Sequence, residues 1–168
     1  VARLRGDRTA EMMGRLTMNP VPHIDWIGTV FFPLMAMVSG APFFGWAKPV
    51  PVNPRNLKTP KNDMFWVAFA GPLSNFFLAL LGTCALAVVL TFLAASSSGN
   101  ALSELLQTFI LINLFLGFFN LIPLHPLDGG KVVDRFLPLS WSQKLESLQS
   151  YSMVILLIFF VVGGFRFF

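Results

Sequence analysis

The residue with the most chemistry in this 168-residue chain is a carboxylate, Asp128. It stands in Asn120-Leu-Ile-Pro-Leu-His-Pro-Leu-Asp-Gly-Gly, at the end of an apolar run over residues 109–127. An ionisable group at membrane depth costs roughly 2.5–3.5 kcal/mol on insertion scales unless it meets a partner, a cavity or a metal. A carboxylate oxygen is an acceptable zinc ligand, and catalytic zinc sites commonly combine three protein ligands with a water. The same side chain is equally suited to capping a short helix that starts at Gly129. Pro123 and Pro126 stop the preceding helix and Gly129-Gly130 suits a tight turn, so Asp128 is expected on irregular backbone. Such backbone is tolerated in a bilayer only where protein buries it or it lines a wet cavity.

Few other groups offer chemistry. Asn120 lies near the inner end of the same apolar run, and a buried amide there could hold a substrate backbone or a developing oxyanion, or bond a neighbouring helix. Asn75 and Asn113 are embedded in apolar sequence and each could bond a neighbouring helix, with Asn75 the better functional candidate because it follows a Gly71-Pro72 break. His23 and His125 are the two histidines. Neither belongs to a His-x-x-x-His pair, the spacing that puts two rings on one helix face. His125, three residues from Asp128 and between two prolines, could ligate a metal, and His23-Ile-Asp25 could equally be a hydrogen-bonded turn. By spacing alone, no complete metal site is present.

The elements that must position these groups are membrane segments. The chain is 55% hydrophobic and 12% charged, with 19 Phe and a mean hydropathy of +0.68, far from a soluble domain with about 25% charged residues. Its net charge of +4 comes from Lys and Arg between apolar runs, which suits anionic headgroups, and no nucleic-acid signature is present. Cys84 is the one cysteine, so a disulfide framework is excluded. Four stretches approach the roughly 20 residues needed to cross a bilayer: residues 26–46, 64–95, 101–121 and 151–165. The first contains Gly28, Pro33, Gly40 and Pro42 and is expected to be kinked or incomplete. Basic residues flank it on both sides (Arg3, Arg5, Arg8 and Arg15 before; Lys48, Arg55, Lys58 and Lys61 after), so either it is re-entrant or the positive-inside rule fails. Lys131, Arg135 and Lys144 place the last connection on the cytoplasmic side, and Ser96-Ser-Ser-Gly-Asn100 predicts a polar turn on the other. Gly45-Trp-Ala-Lys-Pro-Val-Pro-Val52 alternates like an edge strand able to capture an extended peptide, or is a surface loop stiffened by proline. At the other end, Val1-Ala-Arg-Leu-Arg5 reads as the tail of a helix already under way. The expected fold class is a mainly α, polytopic membrane protein with about four transmembrane or re-entrant segments and short membrane-associated β-strands.

Taken in order, Gly14-Arg-Leu-Thr-Met-Asn-Pro, His23-Ile-Asp, Gly28-Thr, Gly45-Trp-Ala-Lys-Pro-Val-Pro-Val-Asn-Pro-Arg-Asn56, Ala70-Gly-Pro-Leu-Ser-Asn75 and Asn120-Leu-Ile-Pro with Pro126-Leu-Asp-Gly resemble the site-2 protease family of intramembrane zinc metalloproteases, peptidase family M50. The resemblance covers nearly the whole chain, and the ordered set is far more specific than any one motif. It implies hydrolysis of peptide bonds in transmembrane or juxtamembrane segments by metal-activated water, in a multi-pass protein of a bacterial cell membrane whose partners are a membrane protein or peptide substrate and the lipid bilayer.

The resemblance also implies residue roles. Zn2+ would be held by Asp128 together with two histidines of a His-Glu-x-x-His helix, whose Glu is the general base. That motif is absent from the sequence, and in relatives it precedes a segment resembling residues 1–10. The two histidines and the Glu are therefore expected upstream of Val1, and the chain is expected to be an enzyme fragment, inactive as it stands. Residues 1–168 would form a single membrane-embedded core without a PDZ insertion. Asn120 would position the scissile peptide or its intermediate, and Trp46, Ala47, Lys48, Pro49 and Val50, with Asn75, would hold substrate. His125 stands where the family more usually has Pro. Two other classes remain open: a non-catalytic scaffold that binds transmembrane helices, and a proton-coupled transporter using Asp128.

Overall fold

In a computed structural model, residues 1–40, 45, 47–93, 96–124, 127–147, 151, 152 and 154 are described. They divide into two compact units, residues 1–63 with 153–168, and residues 64–152.

The first unit is built from short turns tied together by buried polar groups. A 3-10 turn, Ala2–Arg5, closes on Gly6 at φ 109°, and the four-residue helix α1, Thr9–Met12, follows. Val1 precedes that turn as its N-cap, exposed, with its carbonyl accepting from the Arg5 amide at 3.1 Å. Gly6 and the Asp7 junction end this turn at once. Asp7, only 2% exposed, gathers the next loop onto this hairpin. Its carboxylate accepts from the Thr9 hydroxyl and amide, from the Asn53 amide at 2.9 Å and from Asn56 Nδ2 at 3.0 Å. The Thr9 hydroxyl, ahead of the opposing cost of burial, and the Asn56 and backbone donors together hold the Asp7 pKa down at about 2. Asp63 makes a comparable junction at the start of the long helix α3, Pro60–Phe92, where it reaches back to the Thr59 amide at 2.7 Å and pairs with Arg5 at 3.2 Å.

The first apolar segment is incomplete, as its glycines and prolines suggested. A π-helical turn, Trp26–Phe31, runs into α2, Phe32–Ser39, which Gly40 ends at φ 68°. Six and eight residues give roughly 20 Å, short of a hydrocarbon core of about 30 Å. Asp25 starts the segment by accepting from the Ile27 and Gly28 amides, while Thr29 Oγ1 accepts from the Asp25 amide.

The second unit holds a pair of long apolar helices, a short one folded back after them, and a further helix, Leu139–Ser147. The 33-residue α3 and α4, Ser97–Asn120, are the two described helices long and apolar enough to cross a membrane. Glycines set their antiparallel register. A Cβ on Gly117 would lie 2.7 Å from the Phe76 ring, and one on Gly82 would lie 3.0 Å from Phe109 and Ile110. Small residues let helix backbones approach where apolar burial gives no driving force in lipid. Large apolar side chains such as Leu80, Phe92, Leu105 and Leu111 stay exposed on the outside, as a lipid-facing surface requires.

Several expectations need correcting. The polar segment after Ser96 is not a turn but the first turn of α4, because the Ser96 hydroxyl caps it by accepting from the Gly99 amide at 3.0 Å. Asn113 bonds the Phe109 carbonyl of its own helix at 2.8 Å rather than a neighbouring helix. No strand occurs among the described residues, and residues 47–52 run without ladder pairing. Pro49 and Pro51 supply no N–H, and the nearby carbonyls are taken by a side chain described below. The segment expected at residues 151–165 lies almost entirely outside the described residues, as do Trp46 and His125.

Candidate metal-ligand site

Asp128 opens the short helix α5, Asp128–Asp134, after a reversal at the end of α4. This differs from the irregular backbone expected for it, and the difference lies in Gly129. A Cβ at Gly129 would fall 2.3 Å from the carbonyl oxygens of both Leu121 and Ile122, so glycine is needed for room. Neither Gly129 nor Gly130 has a positive φ, so the pair is not a left-handed turn. With that close approach allowed, the chain re-enters a helix one residue after Leu127, which has extended dihedrals and holds the N-cap position.

Asp128 therefore does not cap. Its side chain accepts no backbone N–H at the helix start, and it makes no hydrogen bond among the described residues. Its Oδ2 lies instead against α3, 2.9 Å from where a Cβ on Gly71 would stand. The half-buried carboxyl is pushed above its ordinary pKa by desolvation, with the charge of Lys131 opposing. With no hydrogen-bond partner among the described residues, the carboxyl oxygens of Asp128 are of a type that can ligate a divalent cation. Among the described residues no three His, Cys, Asp or Glu side chains cluster. Val1, upstream of which the two histidines and the Glu are expected, brings no metal-ligating side chain of its own and belongs to the first unit.

The helix register brings the two expected amides to the same level. Gly117 meets Phe76, and three residues further along each antiparallel helix stand Asn120 and Leu73, within one turn of Gly71. Asn75 is one turn from Gly71 on α3. Both amides are half-buried and make no side-chain hydrogen bond among the described residues. Asp128, Asn120 and Asn75 thus share one level of this unit. The sequence motifs marked Gly71 only as a helix break, and its service as the space for a carboxylate was missed.

The expected substrate segment belongs to the first unit and is held there by a residue that sequence reasoning counted only as a flanking charge. Arg15, 8% exposed, donates from Nη2 to the carbonyls of Lys48 at 3.3 Å and Pro49 at 3.0 Å. The Lys48 amide donates to the His23 carbonyl at 3.0 Å. Ala47 and Val50 are exposed and make no backbone hydrogen bond among the described residues. Gly45 approaches the first apolar segment closely, since a Cβ there would be 2.5 Å from the Gly28 carbonyl oxygen. His23 Nε2 lies 3.2 Å from the Thr17 carbonyl and Asp25 serves as a helix cap, so His23-Ile-Asp25 is a hydrogen-bonded turn.

The profile of Peptidase family M50 matches residues 85–162. The chain is 39% identical over 160 residues to the inferred zinc metalloprotease YwhC of Bacillus subtilis, covering 93% of this chain and 69% of that protein. It belongs to peptidase family M50, the site-2 protease family. Zinc metalloprotease MJ0392 of Methanocaldococcus jannaschii is 32% identical over 107 residues, covering 61% of this chain and 30% of that protein. The inferred zinc metalloprotease Rip3 of Mycobacterium tuberculosis is 39% identical over 94 residues, covering 55% and 22% respectively. No solved structure matches the chain.

Proposed function

We propose that this chain supplies the membrane core of a zinc-dependent intramembrane peptidase, with Asp128 as the metal ligand that it contributes. The observation that carries this reading is the half-buried Asp128 carboxylate, held against Gly71 without a hydrogen-bond donor, in a chain whose M50 relatives are named zinc metalloproteases. The chemistry that zinc supplies when bound is activation of a water and polarisation of the scissile carbonyl. The chain's own residues do the rest. Asn120 donates its amide to the substrate carbonyl, or to the charge that develops there, and Asn75 holds the peptide alongside. The two histidines and the glutamate that the family resemblance implies would complete the donor set and accept the proton of the bound water.

Substrate is held extended along Trp46, Ala47, Lys48, Pro49 and Val50. Lys48 has spent its N–H and C=O within its own unit and Pro49 its C=O, so pairing to a peptide passes through Ala47 and Val50. Extension exposes the scissile carbonyl, which a helix hides in its own hydrogen bonds. The substrates are transmembrane or juxtamembrane segments, and the enzyme is a multi-pass protein of a bacterial cell membrane. These assignments are tested in the complete gene product by following zinc content and cleavage of a defined transmembrane peptide in Asp128→Asn and Asn120→Ala. Asp128→Asn should lose both, whereas Asn120→Ala should keep zinc and cleave at least tenfold more slowly. Normal cleavage by Asp128→Asn would instead favour a scaffold or a proton-coupled transporter.

A further inference from the structure

Besides its contact at Gly71, the ligand helix α5 touches α3 at a second point. Arg135, immediately after α5, lays its guanidinium carbon 4.9 Å from the centroid of the Phe65 ring and 5.8 Å from that of Phe136. Phe136 meets Phe65 edge-on at 5.8 Å, and Phe65 stacks on Phe69 at 5.5 Å with an interplanar angle of 10°. The two contact points are evenly spaced. From Asp128 to Arg135 is about 10 Å of helix, and from Phe65 to Gly71 is about 9 Å. The short helix therefore lies antiparallel along the first turns of α3, pinned at Gly71 by its ligand end and at Phe65 by its far end. A helix of seven residues is too short to hold its shape unaided, so its position depends on such contacts. A guanidinium on an aromatic face is worth more when desolvated, and the negative end of the α5 dipole adds to its hold on Arg135.

We propose that Arg135 on Phe65 is the distal anchor of the ligand helix, a positioning pair that sets where Asp128 presents its carboxylate. The pair touches neither metal nor substrate and acts through α5 alone. This rests on the assignment of Asp128 as a ligand, and the test separates the two ideas. In the complete metal-loaded protein, zinc affinity is measured by chelator competition for Arg135→Ala, Phe65→Leu, the double variant and Arg135→Lys. In the metal-free protein, hydrogen exchange is followed over residues 128–136, with residues 73–93 as the internal reference.

Each single variant should weaken zinc about tenfold to a hundredfold, the range for groups that orient a ligand. The double variant should be no weaker than the worse single by more than about twofold, because two halves of one contact do not add. Arg135→Lys, which keeps a cation over the ring, should recover part of the affinity. Without metal, residues 128–136 should exchange faster in the Ala and Leu variants while residues 73–93 stay as in the parent. Unchanged affinity, fully additive losses, or unchanged exchange over residues 128–136 would overturn the anchor. If the parent protein holds no zinc, faster exchange confined to residues 128–136 would uphold the anchor and reject the metal assignment.

Discussion

The two units fix their important groups by opposite means. In residues 1–63 position comes from hydrogen bonds converging on buried charges: Asp7 on the 53–56 loop, Arg15 on the Lys48 and Pro49 carbonyls, Asp63 on Thr59 and Arg5. In residues 64–152 it comes from missing side chains, with Gly71, Gly82, Gly117 and Gly129 each admitting a neighbour that a Cβ would displace. Where the backbone forms short turns and loops rather than long helices, charge-assisted bonds of fixed geometry satisfy it and hold it in place. Within lipid, close packing holds helices without asking for buried polar groups. The first unit should accordingly respond to charge and pH, and the second to volume.

The largest effect expected from that contrast is at Gly129. Gly129→Ala puts a methyl 2.3 Å from two backbone carbonyls that cannot swing aside, and should cost at least the ~1–3 kcal/mol of overpacking. Thermal unfolding and zinc content should both fall. Gly71→Ala meets the far end of a flexible carboxylate instead, so stability should be nearly kept while zinc weakens about tenfold. Equal stability losses at the two positions would break the account of the second unit.

In the first unit, Arg15→Ala leaves two carbonyls without their charged donor and should cost about 1–3 kcal/mol, with substrate KM raised and zinc unchanged. A companion change, Val50→Pro, removes the one N–H of that residue while keeping extended backbone, and should raise KM several-fold with kcat and zinc unaltered. An unchanged KM in Val50→Pro would show that peptide does not pair there. The pH response is set by Asp7, whose folded pKa of about 2 lies below its ordinary 3.8. Its contribution is therefore complete above about pH 4 and is lost as pH falls toward 2. Amides of residues 53–56 should open over that window, and Asp7→Asn should remove the acid dependence. The smallest effect is at Ser96: Ser96→Ala should fray the first turn of α4 for about 1 kcal/mol, leaving zinc and turnover intact.

The same contrast decides what could be read from sequence. Hydropathy located α3 and α4, because a lipid-facing helix needs apolar residues all around it. The glycines of the first apolar segment foretold its shortness. Asp128 and Gly129 stood out as a carboxylate and a glycine at the end of an apolar run, although the reason for glycine was close approach rather than a turn. The alternation after Trp46 left a strand and a proline-stiffened loop both open; the described residues form a loop, in which Arg15 and His23 bond Lys48 and Pro49 but not Ala47 or Val50. Arg15 and Arg135 were legible only as flanking charges and Gly71 only as a break, while Asp7 carried no reading of its own. Their partners lie 33 to 34, 70, 57 and 46 to 49 positions away along the chain, and nothing in local pattern pairs them. Each nonetheless carries a local mark, a charge or a glycine inside a motif, that structure converts into a role.

The central claim, that Asp128 gives its side chain to the metal, is tested most directly by X-ray absorption at the zinc edge on the complete protein and on Asp128→Cys. Cys84, the one cysteine of these 168 residues, sits 13 residues beyond Gly71 on α3, about 20 Å along the helix, and adds no sulfur near the site. The parent should show a shell of nitrogen and oxygen only, and Asp128→Cys should add one sulfur at about 2.3 Å from zinc. Zinc retained in Asp128→Cys with its nitrogen and oxygen shell unchanged and no sulfur would contradict the assignment.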